Sequence, residues 1–356
     1  MRITKSVRKL EAYVPGEQPK AKNVVKLNTN ENPYPPSPAC AKVLKAFDLD
    51  RLRRYPDPEF SELRAALAKL NGTDPANVFV GNGSDEVLAV AAKAFVENDE
   101  SIGSLDPSYS LYKTLAAIRD VKWVGDDGSA ISDQQSKPPA VSLFLLTNPN
   151  APTGEFRAPE AIARFAKKFK GVVLVDEAYA DFARTNCLAL ATDPKNRNVL
   201  VMRTFSKSFS LAGLRVGWCV GPKNLIDALY KMKDSYNVDA VAQAVALAAT
   251  KDAKWMRANV KKVVATRTRV AAALAARGWD VLPSESNFLF VRPPCGRSRQ
   301  AAARKAESIF NALRERNIFV RYFRGPKTGD RLRVTIGTDA QMNKLLQALD
   351  ELDFKK

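Results

Sequence analysis

Histidine does not occur in this chain. Its absence excludes Ser-His-Asp and Cys-His nucleophilic catalysis, a His-x-x-x-His zinc site and any imidazole acid or base. Proton transfer near neutral pH then falls to a carboxylate, a tyrosine, a cysteine, a tuned lysine or a bound cofactor. Cysteine is scarce. The 4 present, Cys40, Cys187, Cys219 and Cys295, lie far apart and form no Cys-x-x-Cys pair. That spacing speaks against zinc and against a disulfide framework, and it fits a reducing cytoplasm; no metal site is expected. Long apolar runs are also missing. The longest, around Val241–Ala249, is too short to cross a bilayer and contains Gln243. The basic first residues lead into no apolar signal core, so a cytoplasmic protein without a membrane partner is expected.

Acidic residues are outnumbered, 38 against 56 Lys and Arg, which leaves a net charge of +18. Such an excess can serve nucleic-acid binding. Here the basic residues are scattered, with Arg321-Tyr-Phe-Arg324 as the one aromatic-flanked cluster. Attraction of small anionic substrates, or solubility, accounts for the charge better. The composition, 46% hydrophobic and 26% charged, is that of an ordinary soluble globular protein long enough for two domains.

Residues 1–40 read as an extended arm, with Pro15, Pro19, Pro33, Pro35, Pro36 and Pro38 and the turn chemistry of Asn30-Glu-Asn-Pro33. Such an arm needs a surface to lie on, for which another subunit is a candidate. Arg53-Arg-Tyr-Pro-Asp-Pro58 is a second extended stretch, followed by a helix with Leu63, Leu67 and Leu70 on one face. Short apolar runs then alternate with turns and helices. Strands are expected at Asn77–Val80, Ser101–Leu105, Val141–Leu146, Val172–Val175, Val199–Met202 and Val216–Val220. Helices are expected at Val87–Val96, from about Ser110, and at Pro159–Phe169. This alternation predicts an α/β fold with a mostly parallel sheet covered on both faces. From Lys223 the chain turns helical, and the alanine-rich segment Val238–Arg277 has a plausible bend at Lys251-Asp-Ala. Beyond Gly278, strands at Trp279–Leu282, Phe288–Val291, Ile318–Arg321 and Leu332–Ile336 join helices at Arg299–Arg316 and Asp339–Leu352. The expected division is an arm (1–40), a large domain (41–250) and a small α+β C-terminal domain (251–356).

In open α/β sheets the ligand site lies beyond the carboxyl ends of the strands, so polar residues at those ends are the ones to collect. Gly83-Ser84-Asp85 opens an apolar helix, where free N–H groups and the helix dipole make a phosphate seat. An ordinary N-cap explains that triplet about as well. Asp176 directly follows Val-Val-Leu-Val and needs a partner, either a local cation or a protonated ring nitrogen, with Tyr179 placed to donate to a phenolate oxygen. The turn Asn148–Gly154, taken alone, is a proline-stiffened loop. The stretch Val199–Gly217 ends its strand in Ser206 and Lys207, with Arg215 beyond. A lysine in that position is costly unless it is paired or reactive. Here it is a candidate imine former, with Ser206 and Arg215 as anion ligands. A phosphate seat, a buried aspartate, a phenol and a lysine on one sheet edge are what pyridoxal phosphate requires.

These pieces resemble the fold-type I pyridoxal-phosphate aminotransferases over nearly the whole length, and most closely the branch that acts on histidinol phosphate. The matching segments are Asn30-Glu-Asn-Pro, Arg54-Tyr-Pro-Asp-Pro, Gly81-Asn-Gly-Ser-Asp-Glu, Asp106-Pro-Ser-Tyr, Pro149-Asn-Ala-Pro-Thr-Gly, Asp176-Glu-Ala-Tyr, Arg203-Thr-Phe-Ser-Lys through Gly217, Ser286-Asn-Phe and Leu332-Arg-Val-Thr-Ile-Gly. The resemblance implies an aspartate-aminotransferase-like fold and a homodimer. It implies that Lys207 is the Schiff-base lysine, Asp176 the ring-nitrogen partner and Tyr179 a donor to the ring oxygen. Tyr109 would stack on the ring. Gly83, Ser84, Asp85, Ser206 and Arg215 would hold the phosphate, joined by Tyr55 from the neighbouring subunit. Arg333, Arg321, Asn30 and Tyr13 would meet the substrate. In many relatives an asparagine directly before Pro-Thr-Gly touches the ring oxygen. Here Ala151 stands there and Asn150 precedes it, so either Asn150 does that work or Tyr179 does it alone. The implied reaction is transamination between histidinol phosphate and 2-oxoglutarate. An aminotransferase for aromatic or other amino acids, or a decarboxylase of a phosphorylated amino acid, is the alternative within the fold. A basic nucleic-acid-binding protein on the same fold is the alternative from another class.

Overall fold

The computed structural model describes residues 3, 7–8, 10, 16–20, 23–133, 135–295 and 298–353. The arm supplies a two-residue strand, β1 (Val25–Lys26), which pairs in parallel with Ile318–Phe319 near the other end of the chain. The arm is not extended throughout. Ser37 accepts from the Ala39 N–H at 3.1 Å and caps the helix Pro38–Lys45, which packs against the later helix Ala240–Lys251.

Seven strands make the main sheet: β2 (Val78–Gly81), β3 (Ser101–Leu105), β4 (Lys122–Asp126), β5 (Leu143–Thr147), β6 (Val172–Asp176), β7 (Val199–Thr204) and β8 (Gly217–Val220). Their order is β2-β8-β7-β6-β5-β3-β4. β8 runs antiparallel to both of its neighbours, and every other pair is parallel. The expectation of a mostly parallel sheet therefore holds. The unbroken apolar runs have a direct cause, because successive side chains enter different cores. Leu143, Leu145, Leu174, Leu200 and Met202 join one apolar cluster, while Phe144, Leu146, Val173, Val175, Val199 and Val201 join the other. Each such side chain contributes roughly 1.5–3 kcal/mol by leaving water. β4 has no counterpart among the expected strands. It is an edge strand paired only with β3, and Lys122 and Gly125 are exposed, so no apolar run marks it.

The helix expected at Val87–Val96 begins four residues sooner and spans Gly83–Phe95. Gly83 takes φ +79°, a left-handed conformation that favours glycine, and turns the chain straight from β2 into the helix. The alanine-rich segment is two helices, Ala240–Lys251 and Ala253–Ala276, which meet at Asp252 as the Lys251-Asp-Ala bend suggested. Ser37 Oγ donates to Asp252 at 2.5 Å and ties the arm to that junction.

A second sheet follows. β9 (Asp280–Val281) and β10 (Phe288–Arg292) precede the helix Arg299–Glu315. β11 (Ile318–Phe319), β12 (Arg321–Tyr322) and β13 (Leu332–Thr335) precede the helix Asp339–Asp353. The antiparallel order is β12-β13-β10-β9. The single strand expected at Ile318–Arg321 is split, because β11 pairs with the arm and β12 with β13.

Candidate active site

Since β5, β6 and β7 are parallel, their carboxyl ends, Thr147, Asp176 and Thr204, share one edge of the main sheet. A cavity of about 470 Å³ lies along that edge, with β12 and β13 of the second sheet on its far side. Ser84, Asp85, Tyr109, Asp176, Tyr179, Ser206, Lys207, Arg215, Arg321, Arg333 and Asn30 all line it.

One end of the cavity is an anion seat at the start of the helix Gly83–Phe95. Two glycines let that helix end press close to its surroundings. A Cβ on Gly83 would stand 2.7 Å from Arg215 Nη2, and one on Gly217 would stand 2.6 Å from the Ser84 nitrogen. Gly83 itself shapes the wall without being part of it. Arg215 has φ 57°, a left-handed conformation that is costly for arginine and places its guanidinium beside the helix start. There Nη2 lies 3.3 Å from Asp85 Oδ2, and Nη1 donates to Ser206 Oγ at 3.4 Å and to the Ala212 carbonyl at 3.2 Å. Free helix N–H groups, a hydroxyl and a guanidinium suit a phosphate.

Asp176, the last residue of β6, is only 4% exposed. Its Oδ1 accepts from the Ala178 N–H at 3.0 Å and its Oδ2 from the Tyr112 hydroxyl at 2.8 Å. Burial pushes its pKa up to about 6, against the pull of those two hydrogen bonds. Asp85 adds to the rise and Lys207 opposes it. The carboxylate therefore sits where a cation is wanted.

Lys207 follows β7 by three residues. Its Nζ donates to the Thr29 carbonyl at 3.3 Å and lies 5.8 Å from the centre of the Tyr179 ring. Its turn is clamped from two sides. Asn32 Nδ2 donates to the carbonyls of Lys207 and Ser208 at 3.3 and 3.1 Å, and Ser208 Oγ donates to Asp181. Asp181 is itself held by Arg203, which pairs with the buried Glu177 at 2.8 Å. The Tyr179 hydroxyl accepts from Asn30 Nδ2 at 2.9 Å, while Asn30 Oδ1 accepts from Thr335 Oγ1 at 3.0 Å. Asn30 thus steers Tyr179 as well as lining the cavity. The Tyr109 hydroxyl donates to Asp85 at 3.2 Å.

On the far wall, Arg321 and Arg333 are direct partners across β12 and β13. Like charges facing each other across a ladder repel, and an anion between them relieves that repulsion. Arg333 lies over the rings of Phe288 and Phe323, at 5.3 and 5.1 Å, and Nη2 donates to the Asn28 carbonyl at 3.0 Å.

Two expected residues stand elsewhere. Tyr55 is 80% exposed and stacks on Tyr236 with 4.3 Å between ring centres, away from this cavity. Asn150 is buried, and its amide is turned to the protein. Nδ2 donates to the Pro107 carbonyl and Thr153 Oγ1, both at 3.0 Å, and Oδ1 accepts from Ser108 at 2.9 Å. Ala151 takes the place on the cavity wall, which Tyr179 also lines. Tyr13 lies outside the described residues. Sequence reasoning did not single out Tyr112, Thr147, Asn32 or Phe323. Tyr112 had one faint signal, its place three residues after Tyr109 in a helix.

Residues 22–349 match the aminotransferase class I and II family. Histidinol-phosphate aminotransferase 1 of Nostoc sp. is 42% identical over 353 residues, covering 98% of this chain and 97% of that protein. Histidinol-phosphate aminotransferase 1 of Burkholderia pseudomallei is 44% identical over 357 residues, covering 97% of each. The crystal structure of histidinol-phosphate aminotransferase from Sinorhizobium meliloti in complex with pyridoxal-5'-phosphate superposes with a TM-score of 0.85 at 26% identity, covering 98% of this chain and 97% of that one. With an anion seat, a buried aspartate and a lysine gathered on one sheet edge, and with matches of this length, the chain belongs to the aminotransferase class I and II family.

Proposed function

We propose that this chain transfers the amino group of L-histidinol phosphate to 2-oxoglutarate with pyridoxal phosphate as cofactor, giving imidazole acetol phosphate and glutamate in histidine biosynthesis. One observation carries the reading: the Lys207 amine, the buried Asp176 carboxylate and the Ser84–Arg215 anion seat face a single cavity, with two arginines across from them. The near full-length relatives named for this activity support the choice of amino donor.

The residues fit the cofactor. Without a Cβ at Gly83 and Gly217, Arg215 and the helix start close in on each other, and the cradle so formed would present the N–H groups of Ser84 and Asp85 beside Ser206 and Arg215 to a phosphate. Asp176 would serve as a buried anion for a protonated ring nitrogen, the Tyr179 hydroxyl would donate to the ring oxygen, and Tyr109 would stack on the ring. When bound, pyridoxal phosphate supplies the electron sink that stabilises negative charge on the substrate carbon. Lys207 Nζ is the covalent anchor at rest, and as a free amine it carries the proton to and from the amine-bearing carbon of the substrate. Arg321 and Arg333 receive the anionic end of each substrate, a phosphate in one half-reaction and a carboxylate in the other, because a guanidinium fork matches both.

The working unit in this reading is a cytoplasmic homodimer. Tyr55, exposed and stacked on Tyr236, is available to complete a partner's phosphate seat, and Leu49, Leu52 and Met232, close to the two tyrosines in sequence, are exposed as well. The four cysteines are free, in keeping with a reducing compartment. The division into arm (1–40), cofactor domain (41–250) and small domain (251–356) belongs to the same reading. A panel of amino donors with 2-oxoglutarate tests the substrate assignment. Glutamate forms from histidinol phosphate faster than from aromatic amino acids; its absence sinks the assignment.

A further inference from the structure

The Tyr112 side chain has a role that neither the motifs nor the roles above assign. It stands on the helix Leu111–Ile118, is 0% exposed, and reaches the edge where β5 and β6 end. Its hydroxyl lies 2.8 Å from Asp176 Oδ2 and 2.6 Å from Thr147 Oγ1. Thr147 and Asp176 are partners in the β5–β6 ladder, so both ends of this contact sit on the rigid sheet.

Counting hydrogens settles the direction of the chain. A phenol has one hydrogen, and an ionised carboxylate can only accept. With Asp176 ionised, Tyr112 donates to it, and the Thr147 hydroxyl donates to Tyr112. Ser108 spends its own hydrogen on Asn150 and could only accept from Thr147, at 3.2 Å; the one Thr147 hydrogen goes to the nearer acceptor, Tyr112, at 2.6 Å. Two hydroxyls in series then aim their dipoles at one buried negative charge, and each polarises the next. The Ala178 N–H fixes the other carboxylate oxygen at 3.0 Å. The charged and titratable groups facing Asp176 are Asp85 from the helix Gly83–Phe95 and Lys207 beyond β7, besides Tyr112 itself. The neighbouring Glu177 is neutralised by Arg203.

We propose that Tyr112, backed by Thr147, is a positioning residue that holds Asp176 as an oriented carboxylate and so keeps the cofactor's ring nitrogen protonated. The proposal rests on the pyridoxal-phosphate reading. The test is nitrogen NMR of holoenzyme loaded with pyridoxal phosphate isotopically labelled at the ring nitrogen, followed across pH, together with cofactor affinity. In Tyr112→Phe the pH at which the ring nitrogen loses its proton falls by about one unit, and the cofactor binds about tenfold more weakly, the effect of one hydrogen bond to a charged group. The kcat falls with it, while KM for the amino donor changes less. Thr147→Val moves the same pH in the same direction by a smaller amount, and Thr147→Ser restores it. If Tyr112→Phe does not fold, the Thr147 pair decides. A titration unmoved in these variants overturns the proposal, also when affinity or kcat drops, since that pattern marks packing alone. Wild-type protein that takes up no pyridoxal phosphate overturns the functional reading and this proposal together.

Discussion

The floor of the cavity and its mouth are built in opposite ways. The floor consists of the last residues of parallel strands and the turns that follow them: Thr147, Asp176 and the Ser206–Lys207 turn, with the helix start at Gly83–Asp85. Thr147, Asp176 and Ser206 are buried there, and Asp176 is held by short contacts to the Ala178 backbone and the buried Tyr112. The mouth consists of long cationic side chains on short strands and loops, Arg321, Arg324 and Arg333, packed on Phe323 or paired with Glu307, with Lys327 outside the lining and paired with Asp106. In the proposed reaction the floor would meet charge that appears only during reaction, and the mouth charge that the substrate already carries. The difference should show in kinetics. Floor variants lower kcat, and mouth variants raise KM.

The largest effect is expected at Lys207. Lys207→Ala should lower kcat by roughly 10⁴-fold or more, because the residue proposed as both covalent anchor and proton carrier is lost. Stopped assays for glutamate check the rate, and loss of colour fixation on borohydride treatment checks the anchor.

Asp176 sharpens the contrast, since a preorganised floor carries a cost in stability. Its folded-state pKa is raised from 3.8 to about 6, so the cofactor-free folded protein binds the proton more tightly than the unfolded chain does. Stability from this group is then fully present below about pH 4 and is lost as pH rises to about 6. Urea unfolding of cofactor-free protein should find Asp176→Asn more stable than wild type by about 2–3 kcal/mol above pH 6, with the gap closing toward pH 4. A gap that does not depend on pH would remove the electrostatic account of the floor.

At the mouth, Arg333→Ala should raise KM for both substrates roughly tenfold, with a smaller change in kcat, as expected for the loss of one charge-assisted contact. A kcat loss larger than the KM rise would erase the division between floor and mouth. The smallest effect belongs to Lys327, which donates to Asp106 at 2.8 Å with half its side chain exposed. Lys327→Ala should change KM by no more than about fivefold, and added salt should shrink that difference.

The floor was largely legible in the sequence, and the mouth only in part. Asp176 and Lys207 each follow an uninterrupted apolar run, and such runs are conspicuous because β6 and β7 are buried on both faces. β4 was invisible for the converse reason, as an edge strand with exposed Lys122 and Gly125. The expected helical span begins only at Val87 because the residues before it read as a turn, although the phosphate-seat reading has Gly83 open the helix; in the structure Gly83 is both the turn and the first helical residue. Asn150 and Ala151 show the limit most plainly. They are adjacent, and a rotation of the turn decides which of them faces the ligand. That rotation is set by Pro107, Ser108 and Thr153, which accept or donate to the Asn150 amide.

The sequence by itself determined the α/β class, the strand ends that carry chemistry and the exclusion of histidine-based mechanisms. These follow from local hydrophobic pattern, from residue types directly after it, and from composition. Tertiary structure alone decided that Arg321 faces Arg333, that Asn30 bonds to Tyr179, and that Tyr112 and Thr147 converge on Asp176. Those pairs join separate strands, helices and the arm, and strand order and register place them together, which no local spacing encodes.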